Sequence, residues 1–257
     1  MPSSAPSMTQ DSDTLARDYE QVSADRQFAS GQRLAKALAI APGERVLDVG
    51  CGTGMLAEHI AGIVGPTGRV LGVDPLPLRI ELAQQKARAN LSFAVGNAYD
   101  LSSIESDSFD VVCLNAVFHW LPEKAGPMRA FARVLRPGGR LGISGAGRDG
   151  QSPMRTAVTK VLTAPPFNQH RRPDALTHPV EEAEMRQLYL DAGFDAPRID
   201  VHDFTQNFAS PAAAIRYSEA SSFGNLLGHL PEALRPATRA SSAAMAPRAA
   251  GRNASGR

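Results

Sequence analysis

The chain has 257 residues, 43% apolar and 21% charged, long for one average domain and short for two. Its 27 basic and 26 acidic residues leave a formal net charge of +1, which argues against nucleic-acid binding through a strong global field. Two cysteines, Cys51 and Cys113, are too few for a disulfide framework or a cysteine zinc site, and no metal is expected. There is no uninterrupted apolar run of about 18 residues, so no membrane span is predicted. The opening MPSSAPSMTQDSD lacks the pattern of a secretory signal, and a cytoplasmic location is the expectation.

Residues 1–13 read as a disordered lead, followed by a helical stretch over 14–43 in which Leu34 and Leu38 share a face. Pro42-Gly43 stops it. Five apolar runs then read as strands: Arg45–Gly50, Arg69–Asp74, Leu91–Gly96, Phe109–Asn115 and Arg140–Ser144. Helical patterns separate them over Met55–Val64, Leu78–Ala89 and Met128–Leu135, the last stopping at Arg136-Pro137-Gly138-Gly139. This alternation predicts an α/β fold with a doubly wound, mainly parallel sheet. Further helices are expected over Met154–Leu162, Glu181–Ala192 and part of Ser210–Leu230, with a sixth strand over Arg198–Phe204. The stretch Ala164–Pro179 reads as a long loop whose His170 and His178 are either solvated or part of a substrate lid.

The informative segment is VLDVGCGTG, Val46 to Gly54, a buried strand running into glycines and then a helix. Glycines there allow a sharp turn and close approach of a ligand to the backbone. A dinucleotide fingerprint, G-x-G-x-x-G, would need glycine at position 55, which is Met55. Asp48, two residues before Gly50, suits an ammonium group and repels a pyrophosphate. The spacing therefore points to a nucleoside with a cationic amino-acid arm. Asp74, at the end of the second strand and 24 residues after Gly50, can accept both ribose hydroxyls. Asn97, after the third strand, either accepts from an adenine amino group or is a plain turn residue. Cys51 reads as a small loop residue rather than a nucleophile, and Cys113 as core.

This constellation resembles the class I S-adenosylmethionine-dependent methyltransferases, in the methyltransferase type 11 and arsenite-methyltransferase-like group. The resemblance is carried by VLDVGCGTG, VLGVDP, VGNA, FDVV and RVLRPGGRL, and it runs from about Tyr19 to Phe194. It implies a methyltransferase domain over 44–204, with a substrate loop near 146–180 and a helical N-terminal cover over 14–43. It also implies that S-adenosylmethionine is the cofactor. Asp48 and the loop Gly50, Cys51, Gly52 and Gly54 would hold the methionine arm. Asp74 with Pro75 would hold the ribose, and Gly96, Asn97 and Ala98 the adenine. Asn115 joins this set, and Tyr19 and Phe28 would either pack or close over the cofactor.

Substrate chemistry belongs after the fourth strand, at Asn115-Ala116-Val117-Phe118-His119. His119 is either a general base or a structural partner of Trp120. The residues differ from the Asn/Asp-Pro-Pro-aromatic motif of nucleic-acid amine methyltransferases, and two cysteines do not supply an arsenic site. The expected partner is a small-molecule methyl acceptor, with O, C, N or S open, no nucleic acid and no membrane, in a monomer or homodimer. The alternatives are a cofactor-binding but catalytically impaired homologue, and an NAD(P)-dependent oxidoreductase.

Residues 205–236 read as a helical C-terminal segment. From Ala237 no acid, aromatic or β-branched apolar residue occurs, and 237–257 reads as a disordered basic tail, in the manner of a frameshifted or replaced end. A closing seventh antiparallel strand is expected to be missing. The tail carries four arginines and no acid, which leaves three net negative charges on the rest of the chain.

Overall fold

The structure is a computed structural model and describes residues 27–145, 153–170, 177–202, 208–221 and 225–245. A helix, α1, covers residues 27–37. The core that follows is β1 (Arg45–Val49), α2 (Met55–Val64), β2 (Arg69–Asp74), α3 (Pro77–Gln84), β3 (Leu91–Val95), β4 (Phe109–Asn115), α4 (Ala125–Val134) and β5 (Leu135–Ser144). Beyond it come α5 (Pro153–Leu162), α6 (Glu182–Asp191), α7 (Pro211–Ser221), α8 (Asn225–Gly228) and α9 (Arg235–Met245).

The strands form one parallel sheet in the order β3-β2-β1-β4-β5. Central strands β1 and β4 are apolar on both faces because helices cover both: Val46, Leu47, Val111, Val112 and Leu114 are fully buried. At the sheet edge β3 alternates instead, with Leu91 and Phe93 buried and Ser92 and Ala94 exposed. One apolar layer joins Val46, Val111 and Cys113 to α1 and α2 through Ala35, Leu56 and Ile60. The other joins Leu47, Val112 and Leu114 to α4 and α6 through Met128, Phe131 and Tyr189. The order reverses between β1 and β4, and ligands of such sheets bind at the carboxyl ends of the strands at that crevice.

Several expectations need correction. Arg136-Pro137-Gly138-Gly139 lies within β5, because Leu135 already pairs with Phe109 and the register shifts before Arg140 pairs with Val111. Helix α3 ends at Gln84, before the Ala89 expected. Residues 198–202 form no strand, and Phe204 lies outside the described residues. The helical reading of Ser210–Leu230 resolves into α7 and the short α8.

The tail is the largest departure. Residues 235–245 are the helix α9, packed against α5 and α7. Its Arg239 grips Glu219 of α7 with Nε–H on Oε2 at 2.9 Å and Nη2–H on Oε1 at 2.8 Å. Arg235 donates to the carbonyls of Leu230 and Gly228. These helices enclose a third cluster around Val158, Ile215, Leu227 and Leu230. Among the described residues no strand follows β5. Residues 1–26 and 246–257, with Tyr19, lie outside the described residues.

Candidate functional site

The Gly50–Gly54 loop leaves the end of β1 with Gly50, Gly52 and Gly54 all at positive φ, between 55° and 86°. Side chains could not stand there: a Cβ on Gly50 would lie 2.3 Å from Val117 Cγ2, and one on Gly54 2.7 Å from Phe93 Cζ. Four of the loop's five amides are bonded inside the protein. Gly50 and Cys51 both donate to Val73 O, Gly54 donates to Cys51 O, and Gly52 donates to Asp74 Oδ2 at 2.9 Å. A pyrophosphate needs a cluster of free N–H groups at this turn, and these four are taken. That geometry disfavours a dinucleotide more firmly than the missing third glycine does.

Asp74 is buried and bridges two segments, since its Oδ1 also accepts the N–H of Leu76 at 3.0 Å. Half-buried Pro75 follows it into α3.

Asp48 is 1% exposed. Its Oδ1 receives the Cys113 thiol at 3.7 Å, whereas its Oδ2 is buried with no hydrogen-bond partner. Burial drives its carboxyl up to about 7; the Cys113 hydrogen bond pulls the other way and the Asp74 charge adds to the rise. Asn115 ends β4 on the same sheet face as Cys113, whose strand partner is Asp48. Its Nδ2 donates to the Gln27 carbonyl at 2.9 Å, and its buried Oδ1 also has no partner. Two orphaned acceptors thus lie towards one end of one sheet face, and buried acceptors of this kind call for a donor.

Helix α1 reaches over these strand ends. Ser30 Oγ meets Ser144 Oγ at 2.7 Å, Gln27 receives Asn115, and Phe28 packs edge-on to His59 of α2 at 5.5 Å between ring centroids. Phe28 thus rests on α2. Gly31 lets the helix close in, because a Cβ there would stand 2.8 Å from Leu56.

Other predicted residues fall differently. Asn97 Oδ1 accepts the N–H groups of Tyr99 at 2.8 Å and Asp100 at 3.1 Å, so both lone pairs are used in a turn. The turn that was the alternative reading of Asn97 is thus present. Gly96 donates to the Asp74 carbonyl, and Ala98 is buried in the second core layer. Burial, with the Asp48 and Asp74 carboxylates, raises the Cys51 thiol, and burial with Asp48 raises that of Cys113. Neither is a poised nucleophile. The His119 ring tilts against Trp120 at 5.1 Å, and its Nδ1 stands 3.3 Å from the space a Gly145 side chain would fill, beside the end of β5. Its carbonyl receives the N–H of His178 at 2.6 Å, which ties the loop segment to the β4 exit.

Comparison with known proteins agrees with this geometry. A methyltransferase domain model matches residues 47–143. An arsenite methyltransferase from Halobacterium salinarum is 35% identical over 181 residues, which is 67% of this chain and 42% of that protein. The aklanonic acid methyltransferase DauC of a Streptomyces is 31% identical over 164 residues, covering 62% of this chain and 71% of the relative. The chain belongs to the class I S-adenosylmethionine-dependent methyltransferases. Among solved structures, a SAM-dependent methyltransferase from Aquifex aeolicus shares the fold, with a TM-score of 0.53 at 19% identity over 70% of this chain and 87% of that one. The matched stretch spans less than half of the halobacterial relative.

The residues present suit the family's cofactor: two buried acceptors for an ammonium, an acid at the β2 end and a loop cleared of side chains. Three partners escape sequence reading: Val117, which backs Gly50, and the Ser30–Ser144 pair. Two hydroxyls 114 residues apart leave no local signal.

Proposed function

We propose that this protein transfers the methyl group of S-adenosylmethionine to a small organic acceptor. The observation that carries the reading is the pair of buried, unpartnered acceptors, Asp48 Oδ2 and Asn115 Oδ1, at the switch point of the sheet. Asp48 and Asn115 would take the methionine ammonium, Asp74 with Pro75 the ribose, and the segment Gly96–Ala98 the adenine. The bound cofactor supplies an activated sulfonium methyl. The chain then has only to align the acceptor and exclude water. Helix α1 does the excluding over the β4 and β5 ends. His119, at the β4 exit, would accept a proton where the acceptor must lose one.

An arsenite acceptor is disfavoured. Cys51 sits in the cofactor loop and Cys113 is buried under Asp48, both held as thiols. An oxygen, carbon, nitrogen or sulfur acceptor on a small organic molecule remains.

The test is calorimetric titration with S-adenosylmethionine, then a methyl-label transfer screen against metabolite pools. Binding with label in a small molecule supports the reading. Binding without transfer to any acceptor reduces it to a cofactor-binding homologue, and absence of binding removes it.

A further inference from the structure

The segment from Ala116 to Lys124 is ordered more tightly than a connecting loop requires. Ala116 stands at φ 61°, a left-handed conformation costly for an L residue, and its N–H donates to Ser144 O at 2.8 Å. Phe118–Trp120 forms a single 3₁₀ turn, closed by Trp120 N–H on Val117 O at 2.8 Å and by Leu121 N–H on Phe118 O at 3.2 Å. On one side the turn presents Val117 to Gly50, within van der Waals contact of the cofactor loop.

On the other side lies Lys124, only 7% exposed. Its Nζ donates to the carbonyl of Leu121 and sits 5.1 Å from the centroid of the Phe118 ring. Burial lowers its pKa, and the carboxylates of Glu184 and Glu123 oppose that fall. Lysine is rarely buried, because a charge removed from water must be compensated. Here the compensation comes from the Leu121 carbonyl and the Phe118 ring of the turn, together with the Glu184 and Glu123 carboxylates. The same side chain walls a cavity of about 570 Å³ with Thr177, His178 and Glu184, and His178 is the residue bound to the His119 carbonyl.

We infer that Lys124 is a positioning residue for the cofactor pocket: its ammonium sets the Phe118–Trp120 turn, and the turn sets how closely Val117 backs the Gly50 loop. The inference rests on the proposed reading of that pocket as the S-adenosylmethionine site. It places no chemistry on Lys124, which acts through Phe118, Leu121 and Val117.

Trp120 is the sole tryptophan of the chain and lies in the turn, so its emission reports the turn directly. Lys124→Met keeps the apolar stem and removes the cation. Loss of a charge-assisted hydrogen bond there is expected to weaken S-adenosylmethionine binding about tenfold, with a shifted Trp120 emission in the free protein. In the wild type, Trp120 emission should shift on titration and saturate with the calorimetric Kd. Unchanged affinity and emission in Lys124→Met overturn the inference, as does a wild-type emission indifferent to bound cofactor. The wild-type titration decides the matter should Lys124→Met fail to fold. A wild type that binds no S-adenosylmethionine at all is a different failure, that of the functional reading.

Discussion

Asp48→Asn separates the stability of the empty protein from its affinity for the cofactor. The carboxyl ionises at about 7 in the fold against an ordinary 3.8, chiefly because it is buried. Between those values the folded state keeps a proton that the unfolded chain has released, so stability falls as pH rises across that window. Above pH 7 the cost approaches about 4 kcal/mol. An amide at 48 escapes that cost and leaves its own buried groups incompletely paired, at about 2 kcal/mol. Asp48→Asn is therefore expected to be about 2 kcal/mol more stable than wild type at pH 8 and less stable at pH 4. Its affinity for S-adenosylmethionine should fall about 30-fold, since a neutral amide replaces the anion facing the ammonium. Urea unfolding of both proteins from pH 4 to 8 without ligand, paired with calorimetry at pH 7.5, reads both effects. A variant less stable than wild type at pH 8, or one that binds as tightly, refutes the assignment of Asp48 as a buried carboxylate waiting for a cation.

Gly50→Ala places a Cβ 2.3 Å from Val117 Cγ2 at φ 76°, so overpacking and a left-handed alanine should together cost about 3 kcal/mol, read by urea unfolding. Ala116→Gly should instead stabilise the fold by about 1 kcal/mol, because φ 61° suits glycine; a destabilised variant would show that the strain is not there. Arg239→Ala leaves the carboxylate of Glu219 without its bidentate partner and should cost about 1 kcal/mol, less in high salt, by chemical denaturation.

The parallel sheet was legible because strands buried on both faces read as continuous apolar runs, as in Val46–Val49 and Val111–Leu114. The cofactor loop was legible because a φ above zero at Gly50, Gly52 and Gly54 confines those positions to glycine. Asn97 carries two readings at the level of the atom, since the same oxygen that could meet adenine also closes an Asx turn on Tyr99 and Asp100. Helix α9 escaped because its buried residues are Thr238 and Ser242, with Ala243 the small apolar contact beside them, and Arg239 finds its acid 20 residues upstream. Alanine-rich composition was the one local hint of helix there. The cover's anchors, Ser30 on Ser144 and Gln27 on Asn115, join residues distant in sequence and carry no short-range pattern.

The central claim is that the ends of β1, β2 and β4 form an S-adenosylmethionine site. Calorimetric titration of the wild type at pH 7.5, with Asp74→Ala alongside, tests it most directly. One molecule bound per chain, with at least about tenfold weaker binding in Asp74→Ala, is the predicted result. A folded wild-type protein that binds no S-adenosylmethionine, or an Asp74→Ala variant that binds it equally well, would contradict it.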